Sequence, residues 1–367
     1  LGQSVWLDYI HRRMLQSGEL RLLIERDGVR GVTSNPTIFE QAIAGSDLYD
    51  EAIAQLAGTG AETQTIYEAL AIEDIRGAAD LFRPLYDSTR GGDGYASFEV
   101  SPLLAHDTSA TIAEARRLWR AVDRPNVLIK IPGTTEGLPA ITEAISEGIN
   151  VNVTLLFAVE RHRQVMDAYL SGLERRVASG QPIAQVRSVA SFFVSRVDTE
   201  ADQRLQARLA AGAERSRCER LLGTAAVANA KLAYQAFREV FSAARFMALA
   251  SRGAAVQRPL WASTSTKNPA YRDTLYVDPL IGPDTVNTMP PATIAAFHDH
   301  GRAERTVDRD PDAARAHLAE LEAVGVSLRE VTDFLVVDGV KKFADSFRGL
   351  LAAVAAKRER FAAAARA

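Results

Sequence analysis

The chain has 367 residues, 43 basic against 46 acidic, a formal net charge of −3 and 47% hydrophobic residues. That balance argues against wholesale nucleic-acid binding, which needs a basic face, and the single cysteine, Cys218, excludes a disulfide scaffold and fits a reducing cytoplasm. No apolar run approaches the roughly 20 residues that span a bilayer, and residues 1–10 show no basic leader ahead of an apolar stretch. The expectation is a soluble, cytoplasmic protein with no membrane or nucleic-acid partner.

Short β-branched or aromatic runs at 4–8 and 30–34 open the chain, followed by helical patterns over 47–57 and 62–81 and a Gly-rich patch at 87–94. Strands expected at 95–100, 126–131 and 149–155 alternate with helices at 109–121, 138–145 and 159–178. A sixth strand, 188–194, leads into a helical pattern over 199–240 that is too long for one compact helix and should break at Gly212 or Gly223. Runs at 260–265 and 275–278 bring the strands to eight. Helices return at 310–323 and in a tail where Phe347, Leu350, Leu351, Val354 and Phe361 keep a helical stripe that should pack across the barrel. Eight strands spaced by helices predict an α/β fold, a (β/α)8 TIM barrel. With no linker in sight, one domain over 1–367 is expected, with a helical insertion at about 41–94 and a helical extension at about 308–367.

In such a barrel, functional groups stand at the C-terminal ends of strands or in the loops just after them. Those ends supply Asp8, Asn35, Glu99, Lys130, Asn152 with Thr154, Ser191 with Arg196, Ser265 with Lys267, and Asp278. Polar groups in apolar runs are costly to bury unless paired, so their recurrence requires a reason. Only six basic residues are lysines, at 130, 231, 267, 341, 342 and 357; coding bias accounts for the abundance of arginine. A retained lysine can do what a guanidinium cannot, which is to lose a proton and act as an amine nucleophile.

Lys130, in Val127-Leu128-Ile129-Lys130-Ile131-Pro132, fits that role equally with that of ion-pair partner to a carboxylate. A buried free amine attacks ketones to form a Schiff base. Asp8 and Glu99 are candidate proton carriers, because aldol chemistry needs a base for the hydroxyl proton and a second acid or water for the imine steps. Either acid alone fits a cap or salt bridge as well. Asn35 and Asn152 suit substrate hydroxyls or turn backbone. Arg196, Ser265 and Lys267 combine a planar fork, a hydroxyl and a point charge suited to phosphate. The other four lysines read as solvated helix residues, and His298 with His300 as an exposed loop pair. The dinucleotide, P-loop, zincin and nucleophile-elbow motifs are missing from the sequence, so no metal and no cofactor is expected.

Six segments resemble transaldolase in its longer bacterial form, in family order across almost the whole chain: Gly31-Val32-Thr33-Ser34-Asn35-Pro36-Thr37-Ile38-Phe39, Ser97-Phe98-Glu99-Val100, Ile129-Lys130-Ile131-Pro132-Gly133-Thr134, Asn150-Val151-Asn152-Val153-Thr154-Leu155-Leu156-Phe157, Ala190-Ser191-Phe192-Phe193-Val194-Ser195-Arg196-Val197-Asp198 and Ala262-Ser263-Thr264-Ser265-Thr266-Lys267-Asn268-Pro269. The resemblance implies a (β/α)8 barrel that moves a dihydroxyacetone unit between sugar phosphates in the pentose phosphate pathway. Lys130 would be the Schiff-base lysine, Asp8 the acid/base of carbon–carbon cleavage, and Glu99 with Thr154 the holders of a catalytic water. Asn35 and Asn152 would bind the dihydroxyacetone hydroxyls near Ser191 and Phe193, while Arg196, Ser265 and Lys267 grip the phosphate. Shorter transaldolases usually carry arginine where this chain has Lys267.

The expected reaction converts sedoheptulose 7-phosphate and glyceraldehyde 3-phosphate to erythrose 4-phosphate and fructose 6-phosphate, by a monomer or homodimer. The alternatives are a fructose 6-phosphate aldolase, whose shorter chains tend to carry a tyrosine where Phe193 stands, and a non-catalytic barrel that binds sugar phosphates.

Overall fold

The protein is described from a computed structural model covering residues 1–364. Its β-branched and aromatic runs form strands, and the amphipathic stretches between them form helices. β1 (Gln3–Leu7) is followed by α1 (Arg12–Gln16) and α2 (Glu19–Glu25), and β2 (Gly31–Thr33) by α3 (Pro36–Ala44), α4 (Asp50–Gly58) and α5 (Thr63–Ser88). Next come β3 (Tyr95–Glu99), α6 (Thr108–Val122), β4 (Val127–Pro132), α7 (Gly137–Ser146), β5 (Val151–Leu156), α8 (Val159–Ala178) and β6 (Ser188–Phe193). α9 (Ser195–Ala210), α10 (Arg215–Leu221), α11 (Ala225–Ser242) and α12 (Ala244–Ala250) lead to β7 (Arg258–Ala262) and β8 (Thr285–Met289). α13 (Pro291–His300), α14 (Pro311–Ala323) and α15 (Leu328–Ala364) complete the order.

Each strand pairs in parallel with the next, and β8 pairs with β1, so the sheet closes into the expected eight-stranded barrel with helices around it. The core combines the sheet with the inner faces of those helices, and Trp6, Phe98, Phe192 and Trp261 are fully buried in it. Local signals set the helix ends: Asp107 caps α6 by accepting from the Ala110 N–H at 2.9 Å, and Asp123 ends it in the left-handed region. Among the described residues, no helix is long and apolar enough to cross a membrane.

Several boundaries differ from the expectation. Residues 275–278 form no strand. Tyr276 and Val277 are buried, but they lie in a turn that runs into a 3-10 helix at Asp278–Leu280. The eighth strand is instead the polar run Thr-Val-Asn-Thr-Met of β8, which reads as loop by propensity. The barrel interior accepts those polar groups because most are paired: Thr285 donates to the Gly282 carbonyl at 2.6 Å and Asn287 accepts from Thr264 at 2.9 Å, only the Asn287 amide nitrogen being left without a partner in this strand. Asp278 does not mark a strand end; its carboxylate accepts from Arg272 at 2.8 Å and Thr274 at 3.0 Å.

The 199–240 pattern breaks at both glycines, each with positive φ, into α9, α10 and α11. α5 runs through Pro84, held by the burial of Phe82 and the packing of Leu85 and Tyr86 on the core. His298 and His300 form the last turn of α13, where His300 pairs with Asp273.

α15 packs against α3, α4, α5 and α9. Phe347 meets Tyr67 of α5 edge-on with ring centroids 5.6 Å apart, and Ser346 accepts from Thr37 of α3 at 2.8 Å. Lys357, expected to be solvated, instead donates to Asp50 of α4 at 2.6 Å and clamps the far end of the helix.

A Cβ on Gly31 would lie 2.6 Å from the buried indole of Trp6. Gly31→Ala should therefore lower stability by ~1–3 kcal/mol, the usual cost of overpacking, read as a lower midpoint in guanidinium denaturation. An unchanged midpoint would mean that β2 can yield to the indole.

Candidate active site

Parallel pairing sets Glu99, Lys130 and Asn152 side by side on β3, β4 and β5. Lys130 is 5% exposed, its Nζ donating to the Ser34 carbonyl at 2.9 Å. Glu99 Oε2 lies 3.1 Å from the same nitrogen, at ion-pair distance although not aligned as a hydrogen bond. Burial pushes the Glu99 carboxyl up, against the pull of Lys130 and with a further push from Asp8. Asn152 is fully buried and belongs to a short relay, donating to Ser97 Oγ at 3.1 Å and accepting from Ser191 Oγ at 2.7 Å.

Above this floor is a cavity of about 340 Å3 at the C-terminal mouth of the barrel. On one wall Asp8 accepts from Thr33 Oγ1 at 2.7 Å, and Thr33 lies 2.7 Å from Thr288 Oγ1. Donation by Thr33 to the carboxylate leaves Thr288 as donor in that second bond, giving a hydroxyl chain that ends on Asp8. Burial raises the Asp8 carboxyl, opposed by the Thr33 bond and by Lys130, Lys267 and Arg196.

Asn35 is the extended N-cap of α3, and its Oδ1 accepts from the Ile38 N–H at 3.0 Å. The cap uses the carbonyl end of the amide and leaves its N–H groups for the cavity. Thr154 sits where the β5–β6 register shifts, next to Leu155 at φ 60. Its hydroxyl and Glu99 Oε2 are buried oxygens without a hydrogen-bond partner.

The rim is cationic. Arg196 lies over Phe193 at 5.1 Å and over Phe343 of α15 at 5.7 Å, while its buried NH1 has no hydrogen-bond partner. Burial lowers its pKa, with Asp338, Asp8 and Glu99 opposing. Lys267 is exposed across the mouth and donates to Ser265 Oγ at 2.7 Å. Enclosure of its ammonium and repulsion by Arg196 lower its pKa. Two cations and a hydroxyl face one opening, an arrangement whose chemistry suits an anion.

The cavity brings together nine of the eleven expected residues: Asp8, Asn35, Lys130, Thr154, Ser191, Phe193, Arg196, Ser265 and Lys267. Glu99 and Asn152 stand behind the lining, in register with Lys130. Sequence reasoning missed Thr33 and Thr288, which connect to Asp8, and Gln41 and Phe343, which line the mouth. Thr33 sits within the matched segment 31–39 and could have been found there. Phe343 gives no local signal, because it is one more apolar residue on a long helix.

The chain matches the model of the family described as Transaldolase/Fructose-6-phosphate aldolase over residues 5–354. A transaldolase of Thermobifida fusca (strain YX) is 54% identical over 96% of this chain and 95% of its own length. One from Parafrankia sp. (strain EAN1pec) is 51% identical over 95% and 94%. "Transaldolase 2" of Nostoc sp. (strain PCC 7120) is 48% identical over 95% and 93%.

Because the folded pKa of Asp8 lies above its ordinary carboxyl value of 3.8, its ionisation opposes folding at neutral pH. That penalty is absent below the unfolded pKa and is fully felt once the pH exceeds the folded one. Asp8→Asn should therefore raise the melting temperature at pH 7 by roughly 1–3 °C, with the gain shrinking as the pH falls toward 4. A variant less stable than the parent at pH 7 would contradict this.

Proposed function

The chain belongs to the transaldolase/fructose-6-phosphate aldolase family and functions as a transaldolase; from that premise we propose that Lys130 is its Schiff-base lysine. The observation that carries the reading is the buried amine itself. It stands between Glu99 and Asn152 beneath a cavity whose rim holds an arginine with an unpaired nitrogen.

Sedoheptulose 7-phosphate enters with its phosphate toward Arg196, Ser265 and Lys267. This places the ketone toward the floor, where the Lys130 amine adds to it. Water leaves the carbinolamine and the iminium forms. Glu99 and Thr154, whose Oε2 and Oγ1 carry no hydrogen bond, hold the water that this step releases and that the final hydrolysis consumes.

Asp8 then takes the hydroxyl proton as the carbon–carbon bond breaks, and erythrose 4-phosphate departs. The electron pair left on the three-carbon unit is delocalised into the iminium, so the enamine waits without a full carbanion charge. Asn35, through its free N–H groups, and Asn152, through the Ser191 relay, hold the hydroxyls of that unit. Glyceraldehyde 3-phosphate binds at the same rim, the enamine attacks its aldehyde, and Asp8 returns the proton. Hydrolysis releases fructose 6-phosphate and restores the amine.

Phe193 supports transfer over release, because it offers no hydroxyl beside the intermediate to assist a water. The same proposal takes the chain as one decorated barrel, working in the cytoplasm as a monomer or homodimer; the single buried cysteine fits that compartment.

Borohydride reduction in the presence of fructose 6-phosphate should fix a dihydroxyacetone unit on Lys130, visible by intact mass. Lys130→Ala should remove both the adduct and activity, the latter by at least ~10³-fold. Trapping on another lysine would overturn the assignment. Steady release of free dihydroxyacetone without an acceptor would identify an aldolase instead.

A further inference from the structure

The phosphate site is split between two elements: Arg196 opens α9, whereas Ser265 and Lys267 ride on the long connection between β7 and β8. That loop closes on itself, with Thr266 Oγ1 donating to the Arg272 carbonyl at 2.9 Å and the Tyr271 N–H to the Asn268 carbonyl at 3.1 Å. These bonds set the loop's shape but do not fix its distance from Arg196.

A second set of contacts ties it to α9. The Tyr271 hydroxyl donates to Asp202 Oδ2 at 2.6 Å, and the other oxygen of Asp202 accepts from the Gly223 N–H at 2.9 Å. The Tyr271 ring lies flat against Gly223, where a Cβ would come within 2.7 Å of it. Gly223 also has φ +69, so both backbone and space favour glycine there. One turn back on α9, Asp198 accepts from the Ala226 N–H at 2.7 Å, and the two acids together satisfy amides at the start of α11. The slot that receives Tyr271 is therefore built from α9 and the chain break before α11.

Behind the loop is a second cleft, of about 280 Å3, bounded by Asp202, Gln206, Tyr271 and Tyr276, with Lys267 shared between it and the active-site cavity. A loop freed from its slot thus has room to carry the ammonium off the phosphate.

We infer that Tyr271, seated on Gly223 and hydrogen-bonded to Asp202, is a positioning residue that holds Ser265 and Lys267 at the distance from Arg196 that a phosphate requires. The inference rests on the reading of Lys267 as a phosphate ligand given above. Tyr271 does not line the active-site cavity. Its effect therefore falls on phosphate recognition and not on Schiff-base chemistry.

The test compares two acceptors, glyceraldehyde 3-phosphate and unphosphorylated glyceraldehyde, by the ratio of their kcat/KM values. In a ping-pong transfer that ratio reports on the acceptor's phosphate alone. Tyr271→Phe keeps the ring on Gly223 and removes the bond to Asp202; it should lower the ratio ~5- to 10-fold, with kcat within about twofold and borohydride trapping intact. Asp202→Asn, which keeps the tyrosine but weakens its acceptor, should lower the ratio in the same direction.

Lys267→Met serves as the reference. If it leaves the ratio unchanged, the phosphate reading itself fails. If it collapses the ratio while Tyr271→Phe and Asp202→Asn do not, the positioning role fails and the phosphate reading stands. A fall in kcat for both acceptors alike would mark Tyr271 as merely structural and would also overturn the inference.

Discussion

Ionisable groups can share the inside of a closed barrel only if their charges offset one another and their remaining polar atoms are paired. Lys130 and Glu99 meet the first condition by lying on adjacent strands in register. Asp8 meets it less directly, through the fields of Lys130, Lys267 and Arg196 around the same cavity. The second condition dictates much of the surrounding sequence. Ser97, Asn152 and Ser191 form one relay and Thr33 with Thr288 another, in strands that would otherwise be apolar. Buried networks of this kind are stabilising only when nearly complete. Buried atoms without a hydrogen bond occur elsewhere, as on Asn126 and His162, but those of Thr154, Glu99 and Arg196 stand at the site.

Part of the backbone strain is placed in the same region. Leu155 and Ser263 adopt positive φ without being glycine, at the ends of β5 and β7 beside the cavity, and each such residue costs on the order of 1–3 kcal/mol. Neighbouring contacts hold them there. Ser195 donates its N–H to the Ser263 carbonyl at 3.0 Å. Gly339 of α15 comes so close to Leu155 that a Cβ would lie 3.0 Å from its side chain. Thr154, which lines the cavity, directly precedes the first of these strained positions, and the turn into the Ser265–Lys267 loop begins at the second.

The barrel and many of the residues at its cavity were legible in the sequence because they obey local rules: apolar runs of strand length, helical periods between them, and polar residues recurring at strand ends. β8 was not legible, since a strand rich in threonine and asparagine is stable only where its two neighbours, β1 and β7, already supply its hydrogen-bond partners. The polar end of the barrel had the same effect on Thr33 and Thr288, whose importance depends on a carboxylate contributed by β1. Asn152 was read at a strand end, but its place behind the lining and its hydrogen bond from Ser191 depend on register across strands. Phe343 and Tyr271 lie 147 and 75 residues from Arg196 in the sequence, and no local pattern announces a side chain whose partner is chosen by the packing of distant elements. Long-range contacts of this kind decide where a site ends and what holds it.

α15 begins at Leu328, after all eight strands and the lysine, the acids and the rim cations have been laid down. A ribosome that has translated through β8 has specified all eight strands and the buried amine of Lys130, yet it has not supplied the ring of Phe343 that backs Arg196 or the helix that covers Leu155. The amine is therefore specified well before the wall that shields it: Phe343 follows Lys130 by 213 residues in the sequence.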